Sequence, residues 1–252
     1  MDIQIKVINQ LSDNYSYVIY SNKTKKAIVV DPSESETIIN FIKKNNLILQ
    51  SLLITHHHSD HTAGIKNLLI FKNIKVYSPN SLIVGTTNLI NDKDYLDCDF
   101  IDFQIIATPG HTLDHIVYYS KKNNILFCGD TLFSLGCGKI FEGSYEQMFK
   151  SLQALNKLPD DTIVYCGHEY TLQNYKFLNS VFPDHKELNN YKNVIDERLF
   201  KEKRSIPFRL GNEKIVNPFL GSKNSGYLQF MLEKKFNEFK FFKHLRSLKD
   251  NY

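Results

Sequence analysis

Residues 55 to 61 read T-H-H-H-S-D-H, directly after the apolar run Ser51-Leu52-Leu53-Ile54. Four histidines and an aspartate in seven positions are too many ionisable groups for a core, where each would need its own partner. The fold must therefore end an apolar strand at a place that uses them. His56 and His58 are two apart, so both point the same way from an extended segment, while His57 falls on the opposite side. His57 is read as a non-ligand, packed or solvated. Asp60 and His61 follow where a helix begins and can face inward from its first turn. The H-x-H-x-D-H spacing thus presents four candidate metal ligands from one strand-to-helix loop.

Three further strand ends supply more. His111 lies in Thr108-Pro109-Gly110-His111-Thr112, Asp130 in Cys128-Gly129-Asp130-Thr131, and His168 in Cys166-Gly167-His168-Glu169. In each, an apolar strand is followed by a glycine beside the ionisable residue, which lets the backbone turn sharply and approach closely. Alone, any of them reads equally well as a capping aspartate or an incidental loop histidine. Single transition-metal sites take three or four protein ligands, so all seven together imply two metals.

The first ~170 residues alternate strand-like and helix-like segments, the pattern of an α/β domain. Strands are expected at Ile3–Ile8, Tyr15–Tyr20, Ala27–Val30, Gln50–Ile54, Phe103–Ala107, His115–Ser120, Asn124–Cys128 and Thr162–Cys166. Helices are expected at Glu34–Asn45, with Ile38, Ile39 and Ile42 on one face, and at Ala63–Phe71. Ser144 and Gln147 form a capping-box signature that opens another, with Pro159 beyond its end. After His168 the pattern turns helical, over residues 170–204 and 224–248, and Ile206–Gly221 reads as a long loop broken by Pro207, Gly211, Pro218 and Gly221. The boundary is placed near residue 172, giving domains 1–172 and 173–252.

Charge follows the same division. Residues 1–172 hold 15 basic against 18 acidic side chains, and residues 173–252 hold 16 against 9. A basic C-terminal part suggests an anionic partner, either nucleic acid or a small carboxylate-bearing substrate. No run approaches the ~18 apolar residues of a membrane span, and the N-terminus lacks the basic-then-apolar order of a signal peptide. The four cysteines form no C-x-x-C pair, so reduced thiols and a cytoplasmic location are expected, with Cys128 and Cys166 as buried packing.

H-x-H-x-D-H with a later P-G-H-T, G-D and G-H resembles the ligand set of the metallo-β-lactamase superfamily. The resemblance implies an α/β fold, the αββα sandwich, here followed by a smaller all-α C-terminal domain. It assigns His56, His58 and His111 to one metal and Asp60, His61 and His168 to the other, with Asp130 bridging. Two divalent ions follow, zinc first, with iron or manganese as alternatives. Asp31, in Val29-Val30-Asp31-Pro32, matches the superfamily's early aspartate and is either a support for the ligands or a turn aspartate before proline.

Three more segments narrow the activity. Gly136-Cys137-Gly138-Lys139-Ile140-Phe141-Glu142-Gly143, His168-Glu169-Tyr170-Thr171 and the terminal Arg246-Ser247-Leu248-Lys249-Asp250, together with Asn217-Pro218-Phe219, resemble glyoxalase II, the hydroxyacylglutathione hydrolases. The resemblance spans nearly the whole chain. It implies hydrolysis of S-D-lactoylglutathione to D-lactate and glutathione by a hydroxide shared between two metals, in methylglyoxal detoxification, with Asp60 and Asp130 as catalytic residues. Lys139, Arg246 and Lys249 would hold the glutathione glycine carboxylate, Tyr170 the peptide portion, and Phe141 would pack where some members have tyrosine. Asp114, where many relatives have glycine, and Gly221, where arginine is frequent, also depart from the pattern.

An iron persulfide dioxygenase on the same fold should dispense with part of the second-metal set, which this chain retains. A phosphodiesterase or nuclease should carry an extra module between the ligand motifs. A structural zinc site would close with four ligands; a β-lactamase stays open on the metal donors alone, but leaves Arg246-x-x-Lys249 to be explained. The expected partner is therefore a glutathione thioester acted on by a monomer, without nucleic acid or membrane.

Overall fold

The computed structural model describes residues 2–221 and 224–252. They divide into two compact units, Met1–Ala107 with Asp114–Gly129, and Thr108–Leu113 with Asp130–Tyr252.

In the first unit six strands form a sheet in chain order: β1 (Ile3–Gln10), β2 (Asn14–Ser21), β3 (Lys26–Val30), β4 (Ile48–Leu53), β5 (Lys75–Ser78) and β6 (Asn88–Leu89). β1 to β3 pair antiparallel, and β3 to β6 pair parallel. The change of sense comes where the connection first lengthens, because parallel neighbours need a crossover. That crossover is α1 (Glu36–Lys44), whose Ile38 and Ile42 are buried against Val29 and Leu52 of the sheet. After β4 come two single-turn helices, α2 (Ser59–Thr62) and α3 (Ile65–Leu68), instead of the one expected over Ala63–Phe71. The break falls where Gly64 N donates to Pro32 O at 2.9 Å and turns the backbone toward β3.

Four more strands pair antiparallel in the same unit: β7 (Tyr95–Asp97), β8 (Asp102–Ala107), β9 (Ile116–Ser120) and β10 (Ile125–Gly129). β9 is buried along its whole length. Tyr118 on it donates through its hydroxyl to Ile54 O at 2.9 Å, and Phe127 packs 5.3 Å from Tyr17. The two groups of strands thus share one apolar interior and end together near residue 54.

The second unit opens with a two-residue hairpin, β11 (Leu132–Phe133) and β12 (Gly136–Cys137), then α4 (Tyr145–Asn156). Ser144 caps α4 reciprocally with Gln147, as its spacing predicts. β13 (Ile163–Cys166) pairs antiparallel with β14 (Phe208–Arg209). The rest is helical: α5 (Thr171–Val181), α6 (Lys186–Glu202), α7 (Leu210–Val216), α8 (Ser225–Lys234) and α9 (Glu238–Asp250). The helical stretch expected over 170–204 is interrupted after Phe182, next to Pro183. The stretch expected over 224–248 is two helices, since Lys235 is left-handed and Asn237 caps α9 by accepting from Lys240 N.

The loop expected over Ile206–Gly221 is a correction: it contains β14 and α7. Its prolines bracket the helix instead of interrupting it, and buried Leu210 and Val216 anchor two turns between them. Cys128, Cys137 and Cys166 are buried and Cys98 is half-buried, with no disulfide among them.

Candidate metal centre

In the first unit, the chain leaves β4 after Leu53, bends at Thr55 and His56, and enters α2 with His58 as the flanking residue at φ −57° and ψ 143°. The helix begins where the H-x-H-x-D-H spacing places it, but the extended run expected from His56 to His58 is bent at its first residue. His56 and His61 are buried, while His58 and Asp60 are partly open. His56 Nε2 lies 3.1 Å from His58 Nδ1, His61 Nε2 lies 3.6 Å from Asp60 Oδ2, and the His56 and His61 rings are 4.2 Å apart. All four donors of the loop converge.

Asp31 sets their orientation. Its Oδ1 accepts from Thr55 N at 2.8 Å, and its Oδ2 accepts from Thr55 Oγ1 at 2.7 Å and faces His61 Nδ1 at 3.1 Å. With its proton given to Asp31, Thr55 Oγ1 accepts from His56 Nδ1 at 3.0 Å. This network assigns the protons of His56 and His61 to Nδ1 and the lone pairs to Nε2, the state a metal needs. Asp31 thus orients Thr55 and His61 and is not merely a turn former. Asp60 is held in turn by Asn14 Nδ2, which donates to its Oδ2 at 3.0 Å.

His57 Nδ1 lies 3.0 Å from both oxygens of Asp114, and its ring meets that of His58 edge-on at 5.1 Å. The unusual aspartate at 114 therefore has a partner. Gly129 allows the closest approach in this unit. Its φ of +46° is left-handed, and a Cβ there would stand 2.5 Å from Thr55 Oγ1 and 2.8 Å from His115 Nε2. His115, buried and stacked on His56 at 4.8 Å, is a neighbour that the motif alone does not announce.

In the second unit, one carboxylate oxygen sits between two imidazoles. Asp130 Oδ2 lies 3.4 Å from His111 Nε2 and 3.2 Å from His168 Nε2, all three side chains being buried. His111 Nδ1 donates to Lys139 O at 2.8 Å, which in the neutral ring leaves the Nε2 lone pair facing the carboxylate. Two acceptors facing each other repel unless a cation lies between them, and a divalent metal fits this donor set. His168 is fixed by Tyr170, stacked at 4.7 Å and 3°, and by the edge of Phe133 at 6.0 Å.

The remaining predicted residues lie in the same unit. Lys139 and Phe141 are exposed, with the Lys139 ammonium 5.6 Å from the Phe141 ring centre, and Phe141 meets the His111 ring edge-on at 5.2 Å. Arg246 is only 3% exposed. Its Nη1 donates to Cys137 O at 2.9 Å, and its Nη2 pairs with Asp250 Oδ1 at 3.0 Å. Lys249, one turn further along α9, donates to Asn174 Oδ1, and both cations lie against Phe219, at 5.8 and 5.9 Å. Burial and the nearby Arg246 guanidinium push the Lys249 ammonium down to about 7. Asn174 and Glu213, which hold this region, carry no motif signal. The only hint of Glu213 is its place four residues before Asn217-Pro218.

Comparison with known proteins agrees with this geometry. The family model of the metallo-β-lactamase superfamily matches residues 11–95 and 87–168, and that of the hydroxyacylglutathione hydrolase C-terminus matches 169–252. A hydroxyacylglutathione hydrolase of Klebsiella pneumoniae is 43% identical over 215 residues, covering 84% of each chain. One of Erwinia tasmaniensis is 40% identical over 250 residues, covering 97% of this chain and 98% of the other. Among solved structures, ETHE1 from Myxococcus xanthus covers 99% of this chain and all of its own, with a TM-score of 0.66 at 23% identity, a likeness of fold. The fold is the metallo-β-lactamase αββα sandwich with a helical C-terminal domain, and its His and Asp donors suit a pair of divalent metal ions. Among the described residues, no helix is long and apolar enough to cross a membrane.

Proposed function

The chain belongs to the hydroxyacylglutathione hydrolases, thioester hydrolases on the metallo-β-lactamase fold, and on that premise we propose how its residues divide the work. His56, His58 and His111 would hold one ion, Asp60, His61 and His168 the other, and Asp130 would serve both. Zinc is the first choice, iron or manganese the alternatives. Residues 1–172 carry the chemistry together with the substrate contacts Lys139, Phe141 and Tyr170, and residues 173–252 add Arg246 and Lys249, in a cytoplasmic monomer that engages neither nucleic acid nor membrane.

When bound, the two ions supply an acidified water and a Lewis acid for the thioester carbonyl. Asp60, held by Asn14, accepts a hydrogen bond from the attacking water and orients it. The leaving group of S-D-lactoylglutathione is a thiol with an ordinary pKa of ~8.5, so no residue need protonate it first. D-lactate and glutathione are the products.

One observation carries the reading: the candidate metal donor His111 hydrogen-bonds the backbone oxygen of Lys139. A donor and a cation for the substrate carboxylate are thereby fixed to one turn. Lys139, Arg246 and Lys249 serve the glycine carboxylate, a use favoured by their common cluster around the Gly136–Lys139 segment and Phe219. Arg246 Nε, buried, makes no hydrogen bond among the described residues. Tyr170 and Phe141 contact the peptide portion.

The deciding assay is cleavage of S-D-lactoylglutathione, with nitrocefin and a bis-phosphodiester as controls, before and after chelation. Chelator-sensitive release of glutathione with silent controls is the expected result. Metal-loaded protein that leaves the thioester intact would sink the assignment.

A pH dependence follows from Lys249. Its ammonium is present below about 7 and lost above it, so carboxylate anchoring weakens as pH rises. One charge-assisted hydrogen bond corresponds to roughly a tenfold change in KM. KM should therefore climb by about that factor from slightly acid to slightly alkaline pH. Lys249→Arg, charged throughout, should flatten the climb. Metal-water ionisation acts on kcat with the opposite slope, so separate profiles of KM and kcat distinguish the two. A flat wild-type KM profile would remove Lys249 from the carboxylate site.

A further inference from the structure

Between Asp130 and Lys139 the chain makes the β11–β12 hairpin, and helical side chains hold its backbone at successive residues. Asn217 Nδ2 donates to Phe133 O and Gly136 O, each at 3.1 Å, and Asn174 Nδ2 donates to Ser134 O at 2.8 Å. Arg246 holds Cys137 O. These side chains satisfy carbonyls, whereas the tip of the hairpin presents donors. Leu135 there is left-handed, at φ +59°, which turns its N–H inward away from water.

Glu213, from α7, meets those donors. Its Oε2 accepts from Leu135 N at 2.7 Å, and its Oε1 accepts from Ser134 Oγ at 2.6 Å and from Tyr191 OH of α6 at 3.0 Å. Glu213 is 0% exposed. Burial pushes its carboxyl above the usual range, and the Ser134, Leu135 and Tyr191 donors pull it back. A buried carboxylate is costly unless its oxygens are satisfied. Here three donors satisfy it, two of them from the hairpin tip.

We propose that Glu213 is a positioning residue for the thioester hydrolysis: by holding Leu135 N and Ser134 Oγ it sets the hairpin that carries Asp130 before it and Lys139 after it. The proposal rests on the reading of Asp130 as a metal ligand and Lys139 as a substrate contact. Its effect should reach both ends, as weaker metal retention and a higher KM.

The test compares wild type, Glu213→Ala and Glu213→Gln, well below their melting temperatures. Glu213→Ala leaves Leu135 N without an acceptor. It should raise KM for S-D-lactoylglutathione by roughly tenfold and speed metal loss to a chromogenic chelator by a similar factor. Glutamine can accept from Leu135 N while its amide donates to the Ser134 or Tyr191 hydroxyl. Glu213→Gln should therefore restore both quantities to within about twofold. A purely stabilising role would lower Tm in the alanine variant and leave KM and metal loss at wild-type values, which overturns the proposal. So would a glutamine variant as impaired as the alanine one. Should Glu213→Ala fail to fold, Ser134→Ala removes a single arm, and unchanged KM and metal retention there count equally against it. Wild-type protein inactive on the thioester would defeat the functional reading, while the metal-loss comparison would still decide the role of Glu213.

Discussion

Asp130→Ala is expected to lower kcat on S-D-lactoylglutathione by about three orders of magnitude with KM changed only a fewfold, the several kcal/mol that Lewis-acid stabilisation supplies. The reason lies in its geometry. Asp130 Oδ2 stands 3.4 Å from His111 Nε2 and 3.2 Å from His168 Nε2. Without it, His111 Nε2 and His168 Nε2 face a gap with no negative charge to bring the donors to a common cation. The thiol-side contacts Lys139 and Lys249 are untouched, so substrate binding should survive. Metal content per chain, measured after dialysis, should fall below two. Asp130→Asn keeps the shape but turns an amide toward the imidazoles, and should be comparably inactive. An alanine variant with full metal content and wild-type kcat would end the seven-donor reading.

What could be read from the sequence divides by range. The H-x-H-x-D-H loop was legible because strand alternation and a helix's first turn are local, and so was the Ser144–Gln147 cap. His57 was expected to be packed or solvated; its partner Asp114 lies 57 residues on, and no spacing rule connects them. Asp31 needed three dimensions, since its partners Thr55 and His61 are 24 and 30 residues away. Pro207, Gly211 and Pro218 made residues 206–221 look like a loop. The buried face that makes α7 a helix includes Glu213, whose hairpin partners lie 78 and 79 residues earlier. β5, β6 and β7 fall in a stretch with no clear period, being two to four residues long and partly exposed. Arg246 was found through its terminal pattern, yet its hold on Cys137, 109 residues away, shows only in the structure.

That hold makes one glycine the most sensitive position near the centre. A Cβ at Gly138 would overlap the backbone oxygen of Asp130 and stand 3.3 Å from His111 Nδ1. The backbone there cannot easily move aside: Gly138 N reaches Thr131 O at 3.3 Å, and Arg246 Nη1 reaches Gly138 O at 3.5 Å. Relief must come from shifting the main chain of Asp130 by roughly an ångström, and overpacking of this kind typically costs about 1–3 kcal/mol or more. An ångström of misplacement at a reacting centre is worth about a hundredfold in rate. Gly138→Ala should therefore lose at least about a hundredfold in kcat, with lowered Tm and reduced metal content, or fail to fold. Lys139→Ala, one residue on and exposed, should instead raise KM and spare kcat. The two neighbours then separate the jobs of one turn, with position 138 governing where the Asp130 carboxylate stands and position 139 how tightly the thioester is held. A Gly138→Ala protein with wild-type kcat and Tm would show that this turn yields freely, and that Asp130 is placed by something other than the packing around it.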